Sequence, residues 1–311
     1  MDGRLRIGLI GWGTVGSALG ELVLRGPLPV ELARIAVRDA ARERVSALPP
    51  GVDIGPADVV ANDQTLAAVV ELAGGTEAPH TWARTALERG AAYVTANKAL
   101  LATHGGELAQ EARRGGGALL ASASVGGGAP MIEVLEHLAA TRQISRMRGL
   151  LNATTTFICS AMGAGRSYDD ALREAQAAGY AEADPSFDVE GRDAAQKLAI
   201  LASVAWGAWR PERDVATRGI VGLALPPGRI VRLVAEADEE TMQVRPMELD
   251  AGSALASASG VESVLEIEVE GAGLFRVAGP GAGGQATAGA VYADLARLVN
   301  GERPILFGGA P

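Results

Sequence analysis

The feature that most constrains the fold is a glycine-rich turn near the N-terminus. The residues GLIGWGTVG place Gly11, Gly13 and Gly16 in the spacing GxGxxG, between a predicted strand at 5–11 and a predicted helix at 14–25. In a dinucleotide-binding unit the first glycine permits the tight turn, the second admits the pyrophosphate, and the third lets the helix pack on the strand. Because the motif lies between a strand and a helix, we expect a Rossmann domain. Its cofactor-binding residues would include Gly11, Gly13, Thr14, Val15 and Gly16.

Strand-like and helical segments alternate along the next hundred residues. Strands are predicted at 31–37, 58–63, 66–74, 91–97 and 118–126, and helices at 76–90 and 104–114. Alternation of this kind is typical of a parallel sheet with right-handed crossovers. The predicted fold class is α/β, with an N-terminal Rossmann domain at 1–127.

The pattern changes after about residue 128. Helices are predicted at 130–140, 154–164, 168–178 and 191–206, and strands at 146–153, 229–237, 241–249 and 264–271. This mixture favours a second, α+β domain at 128–279. The GAGG run at 281–284 opens a last predicted helix at about 285–299, so we expect the segment 280–311 to return to the Rossmann domain.

Composition excludes several classes of function. A net charge of −9 argues against a nucleic-acid partner. No apolar run reaches about 18 residues, and the N-terminus lacks the features of a secretory signal, so we expect neither a membrane span nor export. The single cysteine, Cys159, is expected in the core of a cytoplasmic protein. His80, His104 and His137 appear scattered, without acidic or cysteine partners at ligand spacing, so we expect no metal site.

The residues after the second predicted strand bear on the choice of cofactor. An acidic residue there usually binds the ribose hydroxyls of NAD, whereas an arginine suits the 2′-phosphate of NADP. Here Arg38 and Asp39 are both present, and Arg42 and Arg44 follow. A solvated charged turn also explains Arg42 and Arg44. The choice between NAD and NADP stays open, with NADP slightly favoured through Arg38.

Lysine is rare in this chain. Of the 28 Lys and Arg residues, only Lys98 and Lys197 are lysine. A buried lysine can release its proton near neutral pH, whereas arginine cannot. Lys197 lies four residues after Asp193 on a predicted helix, so the two side chains share a face. A solvated ion pair is the ordinary explanation, but the apolar run LAILA that follows predicts burial, and a buried lysine needs carboxylate partners or a neutral form.

The sequence resembles the homoserine dehydrogenase family over nearly its whole length. The motifs that carry the resemblance are GLIGWGTVG, VVELAGGTEAP, YVTANKALLA, SVGGGAPMIE, GLLNATTTFI, GYAEADPSFDVEGRDAAQKLAILA at 179–202, and GPGAGGQATA. The segment at 179–202 is far more specific than a generic Rossmann motif. It brings Glu182, Asp184 and Asp188 into a turn-rich acidic stretch around Pro185.

The resemblance implies a reversible hydride transfer between L-aspartate 4-semialdehyde and L-homoserine, with NAD or NADP as cofactor. It implies that the second domain is catalytic and forms a homodimer, and that the partner is a small-molecule substrate. It also implies residue roles: catalytic for Lys98, Lys197 and Asp193; substrate-binding for Glu182, Asp188, Asn152 and Thr154; cofactor-binding for Asn97 and Gly283 as well.

The chain departs from the family pattern in places. Many members have Glu where Ser122 stands, and that Glu contributes to a monovalent-cation site, so we expect cation affinity to be weak or absent. Ala153 and Thr156 replace the usual Gly and Asn near the substrate, and the region 220–231 looks shortened. With the sequence ending at Pro311, we expect no regulatory domain of the kind that some members append. Two alternatives stay open: a dehydrogenase of another amino-acid semialdehyde or keto acid, and a cofactor-binding relative without turnover.

Overall fold

Two sheets organise the chain in the computed structural model, which describes residues 3–39, 46–226, 228–258 and 262–307. Each sheet belongs to its own compact unit. The first unit comprises Met1–Gly128 and Gly283–Pro311, and the second comprises Ala129–Ala282. No helix among the described residues is both long and apolar enough to cross a membrane.

The sheet of the first unit is parallel throughout its described strands, in the order β3-β2-β1-β4-β5-β6. This is the strand order of a Rossmann fold, so the predicted fold class is confirmed. The strands are β1 (Leu5–Ile10), β2 (Val30–Ala36), β3 (Asp53–Gly55), β4 (Ala68–Glu71), β5 (Ala92–Thr95) and β6 (Ala118–Leu120). All four residues of β4 and all four of β5 are buried, as expected for strands covered by helices on both faces.

Helices cover this sheet. They are α1 (Thr14–Arg25), α2 (Ala57–Asn62), α3 (Glu77–Glu88), α4 (Lys98–Gly115) and α11 (Gly284–Val299). The last of them packs against α1, and its buried residues Val291 and Leu295 join the core formed by β1 and α1. The C-terminal helix therefore completes the hydrophobic core of the first unit.

Three sequence predictions in this unit are wrong. Residues 58–63 lie mostly in helix α2 and not in a strand, because a short apolar run gives no periodicity that separates the two structures. The helix predicted at 104–114 begins at Lys98, since Asn97 accepts a hydrogen bond from the Leu100 amide and so caps it. The strand predicted at 118–126 ends at Leu120, and a 3-10 turn follows at Ser122–Ser124.

The sheet of the second unit is mostly antiparallel, in the order β12-β11-β7-β9-β10-β8. Its strands are β7 (Ile144–Leu150), β8 (Ala216–Thr217), β9 (Val231–Asp238), β10 (Met242–Glu248), β11 (Glu262–Val269) and β12 (Gly273–Pro280). The edge strand β12 was not predicted, because only Val277 of its eight residues is buried and the apolar alternation is therefore missing.

The helices of the second unit are α5 (Met131–Thr141), α6 (Ala153–Gly163), α7 (Tyr168–Ala177), α8 (Ser186–Val189), α9 (Arg192–Ala205) and α10 (Ala254–Ser257). A further 3-10 turn spans Glu212–Asp214. Helix α9 packs against α5, β9 and β10, and nearly all of its residues are buried. No helix or strand is present at 218–226 or 228–230, where the sequence looks shortened.

Candidate active site

Each of the three glycines in the turn between β1 and α1 is explained by a different feature of the structure. Gly11 has φ +106°, and a Cβ there would lie 2.8 Å from the Leu72 carbonyl carbon. A Cβ at Gly16 would lie 2.1 Å from the Gly11 oxygen. At Gly13, by contrast, a Cβ would meet nothing within 4 Å. The fold itself therefore requires Gly11 and Gly16, whereas Gly13 borders open space through which a pyrophosphate can approach the backbone.

Two helices begin side by side at this turn without side-chain caps. Gly13 precedes α1 and Gly283 precedes α11, and neither helix has an acidic residue in its first turn. A Cβ at Gly284 would lie 2.6 Å from Cγ2 of Thr14, so the two helix starts are in contact. Unpaired amides at positive helix ends favour an anion. The sequence predicted Thr14, Val15 and Gly283 here but missed Gly284, although it belongs to the quoted GAGG run.

A buried carboxylate shapes the loop after β4. Glu71 is fully buried and accepts hydrogen bonds from the amides of Ala73 (2.7 Å) and Gly74 (2.9 Å). It also accepts from Oγ1 of Thr95 (2.8 Å) and Nδ2 of Asn97 (3.2 Å) at the end of β5. Glu71 thus holds the ends of two neighbouring strands together. Sequence reasoning missed it, although a glutamate inside the apolar run VVELAGG was a usable signal.

Asn97 and Lys98 follow β5. Asn97 donates to the Gly75 oxygen (2.7 Å) and accepts from the Leu100 amide (3.1 Å), and Lys98 is the half-buried first residue of α4. The glycine-rich turn, Glu71 and the pair Asn97–Lys98 therefore lie at the carboxyl ends of β1, β4 and β5. The strand order reverses at this edge of the sheet, which is where dinucleotides bind in this fold.

Arg38 is exposed just beyond the end of β2, and Asp39 is exposed beside it. Arg42 and Arg44 lie outside the described residues. The structure therefore places one of the arginines considered for the 2′-phosphate, Arg38, at the surface.

In the second unit, Lys197 is held in one position by two acceptors. Its Nζ donates to Oδ2 of Asp193 (2.8 Å) and to the Leu151 oxygen (2.7 Å). The side chain of Lys197 is 15% exposed and that of Asp193 is 7% exposed. This is a largely buried ion pair with an added backbone hydrogen bond, and the solvated pair considered for this spacing is therefore wrong.

Asn152 connects two carboxylates near this lysine. Its Nδ2 donates to Oδ1 of Asp188 (2.7 Å) and to Oδ2 of Asp193 (2.8 Å). Its Oδ1 accepts from the Thr155 amide (2.8 Å), which makes Asn152 the N-cap of α6. The structure thus brings together four residues predicted for the site, Asn152, Asp188, Asp193 and Lys197, in a network that we call the lysine–carboxylate cluster.

The lysine–carboxylate cluster contains fewer positive groups than negative ones. Burial raises the pKa of the Asp188 carboxyl, and the neighbouring Asp193 carboxylate raises it further. Hydrogen bonds from Asn152 and Thr154 and the charge of Lys197 act in the opposite direction. Two carboxylates share one ammonium group, so a cationic ligand group would relieve the imbalance.

Of the two other predicted substrate residues, Thr154 lies beside the cluster, because a hydrogen bond from its side chain acts to lower the pKa of Asp188. The Thr154 hydroxyl donates to the Tyr180 oxygen (2.6 Å), and Glu182 has an exposed side chain. Asp184 is exposed too, and hydrogen bonds from Ser186 lower its pKa. Of the two residues that depart from the family pattern, Ala153 opens α6, and Thr156 donates to the Asn152 oxygen (3.0 Å).

Ser122, which stands where many relatives have Glu, meets a carboxylate from elsewhere in the chain. Its backbone amide donates to Oδ2 of Asp294 (3.0 Å) and its hydroxyl donates to Oδ1 (2.6 Å). Ser122 is 2% exposed and Asp294 on α11 is fully buried. Sequence reasoning missed Asp294, because 172 residues separate it from Ser122.

The prediction that the histidines are scattered is wrong for two of them. His80 on α3 and His104 on α4 stack with ring centroids 4.0 Å apart, and Glu107 lies within reach of both. Packing of α3 on α4 brings them together, and His104 and Glu107 are one helical turn apart. His137 is exposed on α5. Cys159 is fully buried, and burial raises the pKa of its thiol to about 11, as expected for a core residue.

The fold and site first define a class. A Rossmann sheet with two uncapped helix starts binds a dinucleotide, and a buried lysine held by a carboxylate and a backbone carbonyl is typical of an enzyme that moves a proton. The comparisons with known proteins agree. The family model for the homoserine dehydrogenase NAD-binding domain matches residues 11–121, and the homoserine dehydrogenase model matches residues 130–296.

Individual relatives extend this match over most of the chain. Homoserine dehydrogenase from Synechocystis is 37% identical over 95% of this chain and 73% of its own length, and that from Pseudomonas aeruginosa is 37% identical over 95% and 72%. The crystal structure of a homoserine dehydrogenase from Thiobacillus denitrificans has a TM-score of 0.87 at 31% identity, covering 95% of this chain and 73% of that one. A hyperthermophilic archaeal homoserine dehydrogenase solved in complex with NADPH has a TM-score of 0.87 at 28% identity, covering 97% and 99%.

The chain belongs to the homoserine dehydrogenase family of NAD(P)-dependent oxidoreductases. The resemblance stated from the sequence motifs is therefore confirmed.

Proposed function

We propose that the chain interconverts L-aspartate 4-semialdehyde and L-homoserine, with Lys197 as the group that exchanges the proton of the substrate oxygen. The observation that carries the assignment is the position of Lys197. Its Nζ is fixed by the Asp193 carboxylate at 2.8 Å and the Leu151 carbonyl at 2.7 Å. Oxidation of an alcohol needs a base for the hydroxyl proton, and reduction of an aldehyde needs an acid for the forming alkoxide. A lysine held in place can do both.

The first unit supplies the cofactor site. The open space at Gly13 and the uncapped starts of α1 and α11 fit a pyrophosphate, and Asn97 and Lys98 lie at the carboxyl end of β5. When bound, the nicotinamide of the cofactor accepts or supplies the hydride. The archaeal relative in complex with NADPH supports the slight preference for NADP, with exposed Arg38 as the 2′-phosphate ligand.

The second unit supplies the recognition of the amino acid. Asp188 carries a half-buried carboxylate whose charge Asn152, Thr154 and Lys197 offset only in part, because its pKa stays raised, so it suits the substrate ammonium group. Asp193 orients Lys197, while Thr154 and Glu182 remain predicted substrate residues from the family resemblance. Lys98 remains a predicted second catalytic lysine on the same ground.

Initial rates with homoserine and either NAD or NADP test this function directly. Reduction of the cofactor by homoserine, lost in a Lys197→Ala variant, is the expected result. Turnover of another hydroxy amino acid at a much higher kcat/KM would instead identify a dehydrogenase of a different semialdehyde or keto acid, for which Ala153 and Thr156 would be responsible. Tight cofactor binding without turnover of homoserine or of any other hydroxy amino acid tested would identify a relative without activity.

We also propose that the enzyme works without added sodium or potassium. Ser122 brings no formal charge, and both of its donors are bound to Asp294, so that buried carboxylate is satisfied by protein groups. Rates at constant ionic strength in a buffer of a large organic cation should therefore be close to those with either metal ion. Strong activation that saturates at millimolar sodium or potassium would overturn this proposal.

The homodimer and the cytoplasmic location remain proposals from the family resemblance and the single buried cysteine. Light scattering after size exclusion should give a mass of twice the 31.8 kDa chain. A monomeric mass in an active preparation would rule the dimer out.

A further inference from the structure

Two histidines and a glutamate come together on the helical side of the first unit, where the proposed reaction uses none of them. One donor nitrogen from each of His80 and His104 and one carboxylate oxygen of Glu107 lie within 4.8 Å of one another. Nε2 of His80 is 3.1 Å from Oε2 of Glu107, and Nδ1 of His104 is 3.9 Å from the same oxygen. We call these three residues the histidine cluster.

The imidazoles of this cluster are not satisfied by protein groups. Nε2 of His80 and Nε2 of His104 are buried and make no hydrogen bond, because the close contact of His80 with Glu107 is not aligned for one. Two stacked imidazoles with centroids 4.0 Å apart offer each other no polar partner. Buried polar atoms without partners are rare in native proteins, and an ion or water usually explains them.

We propose that His80, His104 and Glu107 bind a divalent transition metal of the zinc class and so link α3 to α4. Imidazole nitrogens select such metals over calcium and magnesium, which prefer an all-oxygen shell. Zinc bonds of about 2.0–2.2 Å require the three donor atoms to approach somewhat more closely than they do now. Glu107 can make that movement, because its side chain is 44% exposed. The two rings, whose planes are 16° from parallel, must also tilt so that both nitrogen lone pairs point at one ion. Three protein ligands leave a fourth position for water.

The surrounding charges permit a cation here. Arg84 is the nearest positive group, with its Nε 3.6 Å from Oε1 of Glu107, but it also pairs with Glu88 at 3.1 Å and Glu111 at 4.0 Å. Its charge is thus shared among three carboxylates, and Oε2 of Glu107 faces the imidazoles. Burial and the neighbouring His80 lower the pKa of His104, while Glu107 and Glu77 act against that shift.

Calorimetric titration of the chelator-treated full chain with zinc sulfate tests the proposal. One zinc ion per chain should bind to the wild type. Glu107→Gln keeps both imidazoles and alters only a partly exposed carboxylate, and it should weaken binding by about ten-fold or more. His80→Ala should abolish the site. His137→Ala removes the exposed histidine of α5 and should leave stoichiometry and affinity unchanged.

The spectrum of bound cobalt gives a second readout that does not depend on affinity. Cobalt in a site with two imidazoles and a carboxylate should show visible d–d absorption, and this band should disappear in His80→Ala. Unchanged zinc affinity in both Glu107→Gln and His80→Ala would place the metal elsewhere, for example on the carboxylates of the second unit, and would overturn the proposal. Absence of zinc binding to the wild type would overturn it too. If His80→Ala fails to fold, Glu107→Gln and the cobalt spectrum of the wild type still decide.

Discussion

The glycine-rich turn of the first unit and the lysine–carboxylate cluster of the second are built in opposite ways for the roles proposed for them. At the turn, function depends on side chains that are missing: open space at Gly13 and backbone amides at two helix starts. In the cluster, the proposed function depends on polar side chains that each have a defined partner. A site of the first kind binds a large, invariant phosphate group. A site of the second kind holds a lysine where it can exchange a proton.

Helix starts show the same contrast. Helices α1 and α11 begin without a side-chain cap, which leaves their amides for a ligand. Helix α6 is capped by Asn152, which uses its remaining amide hydrogens to hold Asp188 and Asp193. An uncapped helix start therefore leaves amides for a ligand, whereas the capped one fixes the positions of the carboxylates that we propose for the active site. Variants at the two kinds of site should fail in different ways.

The largest effect is expected at the turn. Gly13→Val should abolish nucleotide binding, and with it all turnover, because a branched side chain fills the space through which the pyrophosphate approaches. Calorimetry with NADP and NAD measures this. Gly289→Val is a matched control, since Gly289 is exposed on α11 and a Cβ there also meets nothing within 4 Å. Nucleotide binding retained by Gly13→Val would show that the turn has another purpose.

The next largest effect is expected at Lys197, where a substitution should lower kcat and leave nucleotide binding unchanged. Lys197→Ala should lower kcat by about 100-fold or more, the usual scale of general acid–base catalysis, while nucleotide affinity stays the same. Lys197→Arg should fail as well, because arginine keeps the charge but cannot exchange the proton. Stopped-flow rates together with calorimetry separate the two quantities. Near wild-type kcat in either variant would remove Lys197 from the reaction.

A smaller effect is expected from the exposed arginine after β2. If Arg38 binds the 2′-phosphate, Arg38→Ala should raise the KM for NADP by about 10- to 100-fold, as for the loss of a charge-assisted hydrogen bond. The KM for NAD should hardly change, so the NAD measurement on the same preparation serves as the control. Equal changes for both cofactors would show that Arg38 acts outside the 2′-phosphate site.

The smallest effect concerns stability. Because the pKa of Asp188 is raised in the folded state, the native protein holds this proton to higher pH than the unfolded chain does. The contribution of Asp188 to stability is therefore complete below its unfolded pKa, near 3.8, and is lost as pH rises through the folded value. The free energy of unfolding of the wild type should thus decline relative to Asp188→Asn between pH 4 and pH 7.

Asp184→Asn provides the opposite control for this measurement. Hydrogen bonds from Ser186 lower the pKa of Asp184, so its contribution is present above the unfolded pKa and is lost as pH falls through the folded one. Urea unfolding of the three proteins from about pH 2 to pH 7 gives both signs in one experiment, because the Asp184 change lies below pH 3.8 and the Asp188 change above it. A pH trend for Asp188→Asn in the same direction as for Asp184→Asn would contradict the assigned burial of Asp188.

Relations between residues that are close in sequence determined a large part of the fold and of the candidate site. A glycine spacing between a strand and a helix identified the Rossmann unit, and the period of the helix put Asp193 and Lys197 on one face, because both relations extend over only a few residues. The scarcity of lysine drew attention to Lys98 and Lys197. Where local signals were weak, as at α2 and the exposed edge strand β12, prediction failed.

Contacts between distant residues were decided only by the tertiary structure. Asp294 meets Ser122 across 172 residues, Gly284 meets Thr14, and the packing of α3 on α4 joins His80 to His104 and Glu107. Sequence analysis did not predict these contacts, because no periodicity relates side chains on different helices and strands. Their positions depend on which helix faces which, and that follows from burying the apolar faces of the helices together. The sequence by itself therefore determined the class of chemistry, and packing decided which polar groups meet.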